Sequence, residues 1–439
     1  MDAVLLARIQ FAVTIGFHFI FPPVSIGLAW LVVAMEWMGW RRADETWARM
    51  GKFFGKLLAL TFAVGVATGI VMEFQFGTNW AEYSKYVGDV FGAPLAAEAV
   101  LAFFLESVFL GLYVFGRGRV SKGAHWFSIL MVAVGATLSA FWIIVANSWQ
   151  QTPAGFAVRG GRAELESFAQ AVLNPSTMPR FLHTVDAALI AGAFVAAGVA
   201  AWLLLKGRET DLAKRALSLA LAVGLAASLV EVFPLGDAHA KQVARTQPEK
   251  FAAQEGLYVG GPRAPLVLFG IPAVNPPRLV ASVEAPGLLS WMAFGDVNAH
   301  VRGINEFPPE NVPPLRLTFV SFHGMVGLGM LFIALMGWGI VQLLRGRLWE
   351  HRLYLKLLVA AVPLPVIACQ LGWIAAEVGR QPWIVYGLLR TSDAASRTVS
   401  AGSILASIVL FSLVYLALGA LWVFLMAREV RHGPEPAQA

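Results

Sequence analysis

Nine separate apolar runs set what this chain can fold into. They fall at about 9–36, 53–74, 94–116, 124–149, 181–205, 215–235, 317–343, 356–377 and 401–427. Each reaches the roughly 18–20 residues that a helix needs to cross a bilayer. Inside lipid every backbone N–H and C=O must find a partner within the protein, so runs of this kind form helices. The expectation is an all-α polytopic membrane protein with nine transmembrane helices. Composition agrees: 58% of residues are apolar and 14% charged, against about 45–50% and 25% in soluble domains.

An odd number of spans puts the termini on opposite sides. The loops after spans one, three, five and seven, with the end of span nine, hold seventeen Lys and Arg between Arg41 and Arg431. The other short loops hold seven, from Lys85 to Arg397. Cytoplasmic loops carry the basic excess, so the N-terminus is expected outside and the C-terminus inside. The first segment lacks a basic stretch and a small-residue cleavage site, which predicts that it is retained as a helix. The single cysteine, Cys369, rules out an intrachain disulfide and any multi-cysteine zinc or iron–sulfur site. The net charge of +6 mostly reflects short basic loops and implies no nucleic-acid partner.

Four parts follow: 1–235 with spans one to six, 236–316 as one long outer loop, 317–427 with spans seven to nine, and a polar tail at 428–439 expected to fray. The loop holds 11 of the 23 prolines, including Pro276-Pro277, Pro308-Pro309 and Pro313-Pro314. That density excludes a long helix and predicts irregular chain. A loop of this length inside a compact protein is usually functional or disordered.

Ionisable groups inside a membrane are costly and each needs a reason. The first span carries His18, just before Pro22-Pro23, which should bend the helix. The third carries Glu98 and Glu106, two turns and roughly 12 Å apart along the axis. His183 opens the fifth, His323 and Met325 lie in the seventh, and Glu377 closes the eighth, one turn after Trp373 and three residues before Arg380. With the N-terminus outside, Glu98, His183, Met325 and Glu377 all fall in the outer half, beside the long loop. Four such groups at one level predict one buried site.

Imidazole, thioether and carboxylate together suit heme iron. Each group also has a plainer reading. A membrane histidine can serve only as a helix–helix hydrogen-bonding group, and a methionine as filler. Glu98 and Glu106 can pair with other helices, and Glu377 can be a solvated cap. Asp186, one turn after His183, is a candidate to orient its ring. His323 reads as structural. His125, His239, His300, His351 and His432 read as solvated.

Several stretches resemble one family. They are R-I-Q-F-A at Arg8 to Ala12, G-V-A-T-G at Gly65 to Gly69 and M-E-F-Q-F-G-T-N-W at Met72 to Trp80. F-G-A-P-L-A-A-E at Phe91 to Glu98, A-F-F-L-E-S at Ala102 to Ser107 and G-R-Q-P-W at Gly379 to Trp383 complete the set. In this order and on these spans they resemble subunit I of cytochrome bd-type quinol oxidases, from Arg8 to about Arg428. The resemblance implies three hemes: a low-spin heme b, a high-spin heme b, and heme d or a further heme b. It implies His183 and Met325 as the low-spin axial pair, and His18 and Glu377 as ligands of the high-spin hemes. It implies Glu106 and Glu98 for proton delivery, Trp373 and Arg380 among the hemes, and Lys250 and Glu255 for quinol oxidation in the loop. The substrates implied are a quinol (ubiquinol or menaquinol) and dioxygen, in a bacterial-type inner membrane, with the quinol loop on its outer side. A second membrane subunit, and room for small accessory subunits, come with the family. The S-F-H-G-M-V run puts His323 where many relatives carry arginine, and is similar to the cyanide-insensitive branch.

Two rivals fit less well. A secondary transporter also uses ionisable groups in broken helices, but predicts internal repeats and a midplane site. A diheme cytochrome b needs two histidines about fourteen residues apart on one helix, and no span here has them.

Overall fold

The computed structural model describes residues 2–273 and 278–435, so Pro276-Pro277 lie outside the described residues. Among these are nine helical spans long and apolar enough to cross a membrane: Ala3–Arg42, Glu45–Thr78, Ala81–Phe115, Lys122–Gln151, Thr177–Leu205, Thr210–Thr246, Leu315–Leu344, Arg352–Val378 and Ala401–His432. The expected count holds, and several spans run further than their apolar cores. The third begins at Ala81, where Tyr83, Val87, Val90 and Phe91 bury one face of an otherwise polar turn. The sixth continues to Thr246, so the boundary expected at 235/236 falls inside a continuous helical rod.

Local chemistry sets several ends. Asp44 caps the second span by accepting from the Thr46 amide at 2.9 Å, and Ser121 caps the fourth; each satisfies an otherwise orphaned first-turn N–H. The first span breaks at Phe19-Ile20, between the helices Ala3–His18 and Phe21–Arg42. The break stands just before the proline pair, as expected. Two spans contain π-helical turns, each opening on a glutamate: Glu98–Phe103 in the third and Glu231–Leu235 in the sixth. Pro94 stands just before the first and Pro234 inside the second; a missing proline N–H loosens the i→i−4 ladder there.

The first span packs along the fifth through a glycine contact. A Cβ on Gly27 would stand 2.0 Å from the Ala188 carbonyl oxygen, and one on Gly192 would meet the Gly27 backbone at 2.3 Å. Small residues let two backbones approach this closely, which is how membrane helices gain packing without a hydrophobic drive. Around this crossing the first, second, fifth and sixth spans share one apolar cluster that includes Leu28, Phe54, Phe194 and Leu217.

The 236–316 segment is more ordered than its prolines suggest. After the rest of the sixth span comes the helix Pro248–Glu255, ended by Gly256 at φ 65°. An antiparallel hairpin pairs Leu266–Ala273 with Arg278–Ala285, and the helix Leu288–Phe294 follows. Val243, Phe251, Leu257, Leu289 and Val301 build a small core of its own. Apart from Pro272, inside the first strand of the hairpin, the described prolines here sit at first helical turns and between elements, where no backbone donor is lost.

At the opposite end the tail is held as far as Glu435, against the expectation of fraying. Its carboxylate meets Lys52 and Lys56, the latter at 2.7 Å, and its carbonyl accepts from Arg49 at 2.8 Å.

Candidate functional site

The first, seventh and eighth spans converge on Trp373. His18 ends the helix Ala3–His18, and its Nδ1 lies 3.0 Å from the Thr68 hydroxyl. Gly69 clears the ring, since a Cβ there would stand 3.2 Å from His18 Cε1. The next residue, Phe19, stacks on Trp373 with centroids 5.4 Å apart. The indole Nε1 of Trp373 is buried without a partner. On the other side of the eighth span, a Cβ at Gly372 would come within 2.7 Å of Met325 Sδ. The glycine leaves that space to the thioether.

His183 meets a carboxylate that sequence reading passed over. Its Nδ1 lies 3.1 Å from Glu231 Oε1, at the head of the π-helical turn. Asp186 is the expected partner to orient the ring, but Glu231 takes the position against the imidazole. The signal was present in the sequence, because Glu231 is an ionisable group inside an apolar run.

The other histidines divide. His239, expected in solvated loop, rides on the extended sixth span with its ring 5.2 Å from that of His183. His125, also expected in solvent, is buried, with Nε2 2.9 Å from the Tyr113 carbonyl. Helix ends that pack in pairs exclude water that a loop would admit. His351 faces the Tyr354 amide, His300 pairs with Glu306, and His432 is exposed. His323 stacks on Phe319, with Nε2 3.0 Å from the Val267 carbonyl and Nδ1 3.2 Å from that of Phe319. Both ring nitrogens face backbone, which supports its structural reading and ties the seventh span to the hairpin.

Glu377 is the centre of the densest polar cluster. It accepts from Arg380, from Asn147 at 3.1 Å and from Gln151 at 3.2 Å. Arg380 also donates to Gln150 at 2.7 Å. Lys250 reaches in from the loop helix, lying against Gly379 and donating to Gln151 at 3.1 Å. Burial, with the guanidiniums of Arg180 and Arg380 nearby, holds the Lys250 ammonium well below its ordinary range. Glu255 shares the helix with Lys250 but makes no ion pair with it among the described residues. Its Oε2 is buried without a partner, and burial pushes its carboxyl up to about 8.

A line of carboxylates runs along the third span. Glu98 accepts from Ser139 at 2.7 Å. Glu106 is buried against Gly135, within electrostatic range of Glu98. Glu73, which sequence reading passed over, approaches Glu98 from the second span.

Comparison with known proteins decides the family. A profile described as cytochrome bd terminal oxidase subunit I matches residues 6–434. The chain belongs to the cytochrome bd terminal oxidase subunit I family. This oxidase subunit is 43% identical to the cytochrome bd ubiquinol oxidase subunit 1 of Bacillus subtilis (strain 168), over 99% of this chain and 95% of that one. It is 35% identical to the cytochrome bd-II ubiquinol oxidase subunit 1 of Escherichia coli (strain K12), over 100% and 98%. Its fold matches the bd oxidase structure from Geobacillus thermodenitrificans with a TM-score of 0.93, at 31% identity and 99% coverage of both chains. It is a membrane-embedded oxidoreductase of the terminal quinol oxidase class, and its family uses heme.

The residues present fit such a group. His18 and His183 each have a side-chain oxygen beside Nδ1, at 3.0 and 3.1 Å, so Nε2 would be the nitrogen to hold iron. A metal-binding imidazole is usually fixed in this way through its other nitrogen. Met325 and Glu377 supply a thioether and a carboxylate.

Proposed function

We propose that this chain is the heme-bearing catalytic subunit of an oxidase that takes electrons from quinol, ubiquinol or menaquinol, and reduces dioxygen to water. Its three hemes are a low-spin heme b on His183 and Met325 and two high-spin hemes on His18 and Glu377, one of them heme d or a further heme b. The observation that carries this reading is a pair of imidazoles inside spans, His18 hydrogen-bonded at Nδ1 to Thr68 and His183 with Nδ1 3.1 Å from the Glu231 carboxylate. A transporter site gives no reason for two histidines to be held in this way.

When bound, the hemes carry the electrons and reduce oxygen. The protein's own part is to hold quinol and move protons. In the loop, Lys250 and Glu255 hold the quinol head group. A carboxyl poised near 8 exchanges a proton readily at neutral pH, as a base for a quinol hydroxyl requires. With the N-terminus outside, that proton leaves on the outer side, where the quinol loop lies. Two quinols give up four electrons and four protons. Reducing one dioxygen to two waters consumes four protons, drawn from the inner side through Glu106 and then Glu98, with Ser139 holding the latter. Charge thus separates across the membrane without a pump. Segment 236–316 is the quinol-binding part, and 1–235 with 317–427 the heme and proton-path part. A second membrane subunit covers part of the lipid-facing surface, and small accessory subunits can join it.

The test is a reduced-minus-oxidised absorbance spectrum of the purified complex with pyridine-hemochrome extraction. Heme b bands with a far-red chlorin band support heme d at the oxygen site. Heme b bands alone place a further heme b there. Colourless protein overturns the proposal.

A further inference from the structure

Three cations and one carboxylate are buried together where the fifth and eighth spans meet the loop. Arg180, Lys250 and Arg380 are only 5%, 4% and 5% exposed. The charges that reach Lys250 are those of Arg180, Arg380 and Glu377. Glu377 answers Arg380 through a direct contact. Lys250 has only neutral amide oxygens within hydrogen-bond reach, those of Gln151 and Gln247. Arg180 is in the poorest position: its Nη1 is buried with no partner, and Arg380 Nε is likewise orphaned.

An uncompensated buried charge costs several kcal/mol even after relaxation. Lysine can relieve that cost by releasing a proton, whereas a guanidinium cannot. Among the described residues Glu377 is the one carboxylate whose charge reaches all three cations, so the excess positive charge at Arg180 calls for a further anion, beside which Lys250 would keep its charge. A planar guanidinium with free N–H groups matches a carboxylate in geometry as well as sign. The position is informative too. Arg180 stands one turn before His183, and Arg380 one turn after Glu377, so the excess charge lies between two proposed iron ligands. A heme carries two carboxylates at one edge.

We infer that Arg180, with Lys250 and Arg380, is the anchor for the two propionate carboxylates of the heme proposed on His183. This rests on the heme reading above, and wild-type pigment tests that reading separately. Arg180 is then a positioning residue: it sets how the ring is seated and holds its potential up. A cation beside the propionates favours the reduced heme, so its removal lowers the midpoint potential.

The test is redox potentiometry with heme quantitation on the assembled complex bearing Arg180→Gln or Arg180→Lys. With Gln, one heme should be partly lost, or its midpoint should fall by about 59 mV, a tenfold change for one electron. With Lys, potential and heme content should stay close to wild type. A folded Gln variant with full heme content and unshifted potentials overturns the proposal. Should the Gln variant not assemble, wild-type oxidase carrying heme labelled with 13C at the propionates decides by redox-difference infrared spectroscopy. Ionised labelled carboxylates throughout the neutral pH range support the anchor, and a protonated carboxyl band there overturns it.

Discussion

His183 Nδ1 and Glu231 Oε1 lie 3.1 Å apart, so the fifth and sixth spans meet at one imidazole. The glutamate lies beside the nitrogen that, in the proposed ligation, would not face the iron. Partners of this kind are worth about 10–100-fold in metal affinity. Glu231→Leu should therefore keep the fold but release heme about 10–100-fold faster, followed by transfer to an apo-globin acceptor.

Removing the ligands themselves should act more sharply. His183→Ala or Met325→Leu should abolish the low-spin heme spectrum while leaving high-spin bands. An unchanged low-spin spectrum in either variant refutes that ligation.

Gly372 offers a milder probe of the same bond. A Cβ placed there meets Met325 Sδ at 2.7 Å, closer than real side chains approach, and the thioether is the flexible partner. Gly372→Ala should push the sulfur aside and convert part of the low-spin signal to high spin, read by magnetic circular dichroism. A wholly low-spin spectrum would separate Met325 from the iron.

Glu106→Gln keeps size and hydrogen-bonding capacity but cannot shuttle a proton. Heme content should match wild type and turnover should fall roughly 100-fold, at the low end of what a positioned proton carrier contributes. Wild-type turnover would remove Glu106 from the route.

Glu255 makes stability depend on pH with a definite sign. Its folded carboxyl sits at about 8 against an ordinary 4.5, so folding favours the protonated form. That stability is fully present below the ordinary value and is lost as pH rises through the folded one. Melting temperature should fall between about pH 5 and 8 in wild type. Glu255→Gln, which mimics the neutral acid, should flatten that slope, and parallel slopes would contradict the assignment.

Much of this was legible in the chain. Apolar runs mark all nine spans because lipid leaves the backbone no alternative to helix, and the break beside His18 follows from Pro22-Pro23. The cost of buried charge singled out Glu98, Glu106, His183 and Glu377 before any fold was in hand. Glu231 escaped because its partner lies 48 positions away in sequence, and only packing brings the two together. His125 and His239 were misread for a related reason: polar residues at a helix end look solvated until a neighbouring helix covers them. In the loop, proline density concealed two short helices and a hairpin, since most of the described prolines lie at or between element ends.

The π-helical turns that open on Glu98 and Glu231 act as angular wedges. Each fits one more residue into a turn than an α-helix holds, so everything beyond it is rotated by about 100°. The direction in which Glu98 points relative to Glu106 is thus a matter of helix phase, set by chain count and not by side-chain identity. Deleting a single residue from 99–103 would leave a span of nearly the same length and apolarity. That residue is the extra one, so its loss would let the turn close as ordinary α-helix with the two carboxylates still in phase, whereas closing the turn at unchanged length would rotate one about 100° from the other.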